Sequence, residues 1–357
     1  MKSFWLLPFG ATELVGCRRF GRVAYRAYDQ EVPALNALLR GRALFGASFD
    51  MEAVDDPAYG ALFRKHCGLL TTDFSMKFGP LRPSMDRVDF SKADRLIDFA
   101  AEAAIPVRGH CLIWNEGNPE WLKRLSPAEV RYWLDRHVAE MVGRYAGRMH
   151  SWDVVNEPFW PDHGAEGGFR KGVWYDAMGP GYIQRAFSRA AIADPTVKLC
   201  LNEAWVERNT PMAQKVRQGL LRTVRNLLDA GARIDAVGLQ CHLEPGPSMS
   251  LNVLSDFIGE LGELPVEVYI TELDVRDGSL RMSRRDAEVA VAELYGDFSN
   301  TVLAHANVKA MISWQLSDKY SWLRKEGFGQ TPLPFDSNMR PNPAYFELAR
   351  VFCEHSR

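Results

Sequence analysis

The sequence predicts an α/β chain folded as a single (β/α)8 TIM barrel behind an N-terminal arm. Three observations carry this. Strand-like apolar runs begin near Leu44, Leu69, Val107, Ser151, Val197, Ala236, Val268 and Ala310, about 25–46 residues apart. Helix start signals fall between several of them, the pattern of eight βα units. The first run also lacks the Gly-rich phosphate loop that usually follows the first strand of the competing architecture, a doubly wound open sheet. No internal repeat, low-complexity tract or linker divides the 357 residues, so one domain is expected.

In chain order, residues 1–30 show no period and read as the arm. Pro33 to Arg40 reads as a short helix, and Leu44-Phe45-Gly46-Ala47-Ser48 as the first strand. Ser91-Lys92-Ala93-Asp94 resembles a capping motif ahead of Leu96, Ile97 and Phe99. Ser126-Pro127-Ala128-Glu129 is a fuller one, with an N-cap serine, proline in the first turn and glutamate at the third position. Ser283-Arg284-Arg285-Asp286 opens a long amphipathic helix toward Ala306.

Composition narrows the function. A net charge of −2 without a basic stripe gives no sign of a nucleic acid or membrane-surface partner, and no apolar run spans a bilayer. Six cysteines show neither CxxC nor Cys/His metal spacing. Cys111, Cys200 and Cys241 read as small buried apolar residues, with a Cys200–Cys241 bridge between neighbouring strands left open. The apolar stretch 4–9 is short, holds a proline and leads to no cleavage site. No signal peptide is visible, so the expectation is secretion if a leader has been removed, and otherwise the cytoplasm. A monomer is expected.

The chemistry gathers where strands end. Ser151-Trp152-Asp153-Val154-Val155 suits a buried strand that stops at Pro158, delivering Asn156 and Glu157 to its carboxyl end. Val268-Tyr269-Ile270-Thr271 delivers Glu272 and Asp274 in the same way, about 115 residues later. One such acid would cap a following loop; two on one barrel rim suggest a carboxylate pair facing a cleft. The same rim collects Asp73 and Lys77 after strand two, His110 and Trp114 after strand three, and Asn202 and Glu203 after strand five. Gln240 and His242 follow on strand six, with Cys241 facing away by the period of two, and Trp314 on strand eight. His110, His242, Glu157 and Glu272 are in principle metal ligands, but no HExxH-like spacing accompanies them, so no metal and no cofactor are expected. No GxSxG elbow is present. Two carboxyls amid amides and tryptophans fit glycoside hydrolysis: one acid protonated to donate to the leaving oxygen, the other ionised to attack or assist at the anomeric carbon.

At this point the residues resemble glycoside hydrolase family 10, the β-1,4-xylanase family. The matching segments are Arg108-Gly109-His110, Trp152 to Pro158, Gly238-Leu239-Gln240-Cys241-His242, Ile270 to Asp274, and Trp314 to Trp322, in the family's order across roughly residues 40–350. The resemblance implies a retaining hydrolase of xylan or xylo-oligosaccharides, with an arm and first helix over 1–40 and the catalytic barrel over 41–357. It implies Glu157 as acid/base and Glu272 as nucleophile. Asn156 would bind the 2-hydroxyl, His242 hold the nucleophile, Asp274 back the histidine, and Gln240 lie beside the nucleophile. It implies sugar contacts from Lys77, His110, Trp114, Asn202, Trp314 and Trp322.

Two segments depart from the family pattern. Asp73-Phe74 puts Phe where the family carries an amide, and Asn115-Glu116-Gly117 replaces the family's His-Ser-Gln. Both segments bind glycone sugars in the family, so Asp73, Phe74, Asn115 and Gly117 are expected to form an altered glycone subsite. The rival expectations are a same-fold hydrolase of another β-glycan or of chain ends, and a non-catalytic glycan-binding barrel.

Overall fold

The computed structural model describes residues 32–278 and 283–356. The expected arm over 1–30, with its apolar stretch, lies outside the described residues.

The strands, in order, are β1 (Leu44–Phe49), β2 (Leu70–Thr72), β3 (Val107–Gly109), β4 (Ile113–Trp114), β5 (Met149–Asn156), β6 (Lys198–Glu203), β7 (Ala236–Leu239), β8 (His242–Leu243), β9 (Glu267–Val275) and β10 (Val308–Ser313). Eight of them form a closed parallel ring in the order β1–β2–β3–β5–β6–β7–β9–β10, and β10 returns to β1 with Leu44 opposite Ala310. These are the eight runs expected from the sequence, and the fold is a (β/α)8 barrel. The two-residue strands β4 and β8 extend the carboxyl ends of β5 and β9, pairing at Asn156 and Asp274 respectively.

Each strand's alternation sorts its side chains. On β6, Leu199 and Leu201 join the large apolar shell between ring and helices, whereas Cys200 joins Leu69, Ala236, Tyr269, Ala310 and Ile312 in a small separate cluster. Neither Cys200 nor Cys241 is bridged, and both are fully buried. Cys241 packs in the outer shell, as the period of two requires. Gly238 has no room for a side chain: a Cβ there would lie 2.2 Å from the Asn202 side-chain oxygen.

The helix 127–144 carries the full capping box, with the Ser126 side chain accepting from Glu129 N–H and the Glu129 side chain returning to Ser126. Such a cap contributes about 1 kcal/mol. The long helix spans Arg284–Leu303 and is capped by Ser283, as expected. Ser91 is different. It is the first helical residue of 91–102 rather than its cap, and Asp89 accepts both its N–H and its hydroxyl. An acid two residues ahead replaces the serine because Phe90 occupies the cap position in helical geometry.

Candidate active site

The carboxyl ends of the ring strands turn sharply. Glu157 after β5, Trp205 after β6, Cys241 after β7 and Gln315 after β10 all have positive φ, between 48° and 73°. For side chains of this size that backbone region is uncommon and is held only by firm surroundings. The turns stop each strand and present the next side chains to a common cleft.

Glu272 sits at the centre, 4% exposed. His242 Nε2 donates to its Oε2 at 3.2 Å, and His242 Nδ1 donates to Asp274 Oδ1 at 2.8 Å. Asp274 Oδ2 accepts from Trp322 Nε1 at 2.7 Å, which orients the indole. Burial alone pushes the Glu272 carboxyl up; the hydrogen bond from His242 and the charges of His110, His242 and Lys77 overcome it and hold the group at about 2. Burial lowers His242, but Asp274 and Glu272 outweigh it and leave the imidazolium well above its ordinary range. Glu272 is therefore ionised and His242 charged at neutral pH.

Glu157 is joined to Glu272 by amides. Gln240 Nε2 donates to Glu157 Oε1 at 2.9 Å, and Asn156 Nδ2 lies 3.3 Å from the same oxygen. Asn202 Nδ2 donates to Asn156 Oδ1 at 2.8 Å and to Glu272 Oε1 at 2.9 Å. Gln240 meets Glu272 through its backbone carbonyl, which accepts the Glu272 N–H at 2.9 Å. Asn202 departs from its expected place among the sugar contacts. It is fully buried, and its oxygen accepts from Thr271 Oγ1, so its amide holds Asn156 and Glu272 in place instead of meeting a ligand.

Beneath lie Arg108, Asp153 and His110. Asp153 pairs with Arg108 and accepts from His110 Nδ1 at 2.7 Å, which fixes the imidazole edge-on to Trp314 at 5.4 Å. Trp314 is buried, while Trp322 and Trp114 are half-buried. Lys77 Nζ stands between two rings, 5.1 Å from Trp114 and 5.9 Å from Phe74. Phe74 is 53% exposed.

The four altered-subsite residues divide. Phe74 faces solvent beside Lys77. Asp73 is tied down by Gln315 Nε2 at 3.0 Å. Asn115 does not belong with a sugar subsite: its oxygen accepts from Trp174 and Tyr175 N–H, and its nitrogen donates to Arg170 O and Tyr182 Oη. The Asn115 oxygen thus holds the start of helix 173–178, and its nitrogen is taken by Arg170 and by Tyr182 of helix 181–193. Gly117 is exposed with φ of +64°, a conformation in which glutamine would be strained.

The sequence reading missed Arg170, Trp160 and Trp205. Arg170 lies 2.9 Å from Glu157 Oε2 and stacks on Trp160, and Trp160 meets Trp205 edge-on at 6.0 Å. Arg170 sits in the run Gly167-Gly168-Phe169-Arg170-Lys171-Gly172, which has neither strand nor helix period to aim it. Among the described residues no cluster of His, Cys, Asp and Glu is arranged to hold a metal, and no helix is long and apolar enough to cross a membrane.

Known proteins resemble this chain over most of its length. Endo-1,4-beta-xylanase A of Phanerodontia chrysosporium is 32% identical over 326 residues, covering 88% of this chain and 76% of that one. Beta-1,4-xylanase of Dictyoglomus thermophilum is 30% identical, covering 92% and 94%. Xylanase 10B of Thermotoga petrophila, solved in complex with xylobiose, superimposes with a TM-score of 0.83 at 27% identity, over 92% of this chain and 99% of that one. The model of glycosyl hydrolase family 10 matches residues 34–351, a span that takes in the whole ring and both strand-end acids. With its barrel and nearly its full length matched to that family, the chain is a glycosidase and belongs to glycosyl hydrolase family 10.

Proposed function

We propose that the enzyme cleaves β-1,4-xylosidic bonds in xylan or xylo-oligosaccharides by double displacement, with Glu157 as acid/base and Glu272 as nucleophile. The observation that carries this is a carboxyl held anionic, Glu272, tied through one amide network to a second carboxyl, Glu157. Glu272 is kept anionic by His242, His110 and Lys77, as a nucleophile must be. In the first half-reaction Glu272 attacks the anomeric carbon while Glu157 gives its proton to the leaving oxygen, forming a glycosyl-enzyme ester. In the second, Glu157 takes a proton from water, which displaces Glu272 and restores the β configuration.

Lys77 and His110 would contact glycone hydroxyls, Asn156 the 2-hydroxyl, and Trp114, Trp314 and Trp322 the sugar faces. Trp160 and Trp205, beyond Glu157, would supply faces for the leaving sugar. Nothing in the site calls for a second copy of the chain, and the reading takes the enzyme as a monomer. Solvent-facing Phe74, in place of an amide, favours weaker use of the second glycone sugar.

The experiment compares Glu272→Ala with Glu157→Ala. The first should abolish turnover on every substrate. The second should spare aryl glycosides with good leaving groups and be rescued by azide as a β-glycosyl azide, since departure then needs no proton donation. Wild-type hydrolysis followed by NMR should release the β-anomer first. An α-anomer, or equal losses without rescue, would overturn the assignment.

A further inference from the structure

The proposed proton donor is pressed against a buried cation. Arg170 is 4% exposed at its side chain, with one guanidinium nitrogen 2.9 Å from Glu157 Oε2 and Nε donating to the Glu157 carbonyl at 2.9 Å. A cation in contact favours the charged form of a carboxyl. That suits the second half-reaction, when Glu157 acts as base, and opposes the first, when it must carry a proton. The guanidinium has another partner. Glu116 pairs with its free nitrogen and is itself 51% exposed. Asn115, pinned to helix 173–178, fixes the chain from which Glu116 reaches.

We infer that Glu116 is a charge-setting residue for catalysis: through Arg170 it offsets the positive charge held against Glu157, which the proton-donating half-reaction requires. Glu116 touches no substrate in this role; it acts through Arg170.

The other groups around Glu157 do not substitute for it. Gln240 and Asn156 approach as neutral amides. Glu203 of β6 is buried, and burial, followed by the charge of Glu157, pushes its carboxyl well up, leaving it neutral. The buried Cys111 thiol is also pushed up by burial and is neutral. Across the cleft His242, His110 and Lys77 face Glu272 and act on that carboxyl. Glu116 is thus the compensating anion on the Arg170 side, and it is exposed enough to be replaced without disturbing the cleft.

The inference rests on Glu157 being the acid, and the test separates the two. Glu116→Gln keeps shape and a hydrogen-bonding oxygen while removing the charge. The pH dependence of kcat/KM is measured on an aryl xylobioside with a poor leaving group. The alkaline limb should move to lower pH by about 0.5–1 unit at low ionic strength, a three- to tenfold loss beyond the limb. The displacement should shrink by more than half at about 1 M salt, because the pair is half-exposed. With a dinitrophenyl leaving group, which departs without a proton, the limb and its displacement should both vanish. A limb that stays in place, or a lower plateau with an unmoved limb, overturns the role of Glu116. A wild-type limb indifferent to the leaving group would instead remove Glu157 as the acid, and the inference with it.

Discussion

Replacing His242 with Gln removes a cation from between Glu272 and Asp274 while leaving an amide able to reach Glu272 Oε2. In the wild type, burial works against the Glu272 anion, and the hydrogen bond from His242 is the largest of the forces that nevertheless hold the carboxyl at about 2 instead of 4.5. With the imidazolium gone, the charges of His110 and Lys77 and the Asn202 amide still pull down, while Asp274, now without its cation, pushes up. With burial also opposing the anion, the group should return to about 4.5, a rise of about 2.5 units or about 3 kcal/mol. Relative to its own plateau, kcat/KM of the variant should then fall about fourfold at pH 4 and about 30-fold at pH 3, while the wild type stays near its plateau at both. The assay is kcat/KM against pH on an aryl xyloside with a good leaving group, so that proton donation by Glu157 does not enter, with circular dichroism confirming the fold at each pH. Acid limbs that superimpose after scaling would refute the reasoning and reduce His242 to a packing residue.

The same depressed value predicts acid stability. Glu272 contributes to stability above its unfolded value of 4.5 and loses that contribution as pH falls through about 2, so urea midpoints of the wild type should drop more steeply between pH 6 and pH 2.5 than those of His242→Gln; parallel curves would count against it. His242 is raised, so its share is complete below 6.5 and is lost only as pH rises through its folded value; both groups contribute together between 4.5 and 6.5. Phe74→Asn should raise the gain in kcat/KM from aryl xyloside to aryl xylobioside about 2–12-fold, the worth of one restored hydrogen bond, and an unchanged ratio would separate Phe74 from the glycone. Gly117 is left alone in that test because its φ of +64° would add strain of its own. Asn115→Ala should destabilise the fold by about 1–3 kcal/mol in chemical denaturation, through two orphaned N–H groups of helix 173–178, without changing that ratio; a changed ratio at full stability would return Asn115 to the sugar subsite.

The ring and its acids were legible because they are local. A run such as Val154-Val155-Asn156-Glu157-Pro158 states its strand, its end and its cargo within a few residues. Gln240 and His242 face the carboxyls and Cys241 the outer shell, as alternation suggests, although the chain leaves the extended form at Cys241. What was not legible depends on contacts far along the chain. Asn115 resembles a ligand from its place after Trp114, yet its partners lie about 55–67 residues on, at Arg170, Trp174 and Tyr182. Asn202 sits at a strand end like Asn156, but it is fully buried and its oxygen is taken by Thr271, about 70 residues on. Arg170 gave no signal, since a lone arginine among glycines can face anywhere until the Asn115 latch and the Trp160 ring fix it.

The left-handed residues at four strand ends bear on how this protein could be engineered. Each holds a torsion that glycine would adopt more cheaply, by about 1 kcal/mol. At Glu157 and Gln315 that relief is out of reach: one is the proposed acid/base, and the other clamps Asp73 and Tyr59 at 3.0 and 3.1 Å. At Cys241 the side chain only fills the outer shell, so the gain from a relaxed torsion competes with a lost buried sulfur and with looser aim of His242 next door. Heat-resistant variants are therefore better sought at the amino-terminal end of the ring and along the outer helices, where changes in backbone freedom do not reach the carboxyl groups.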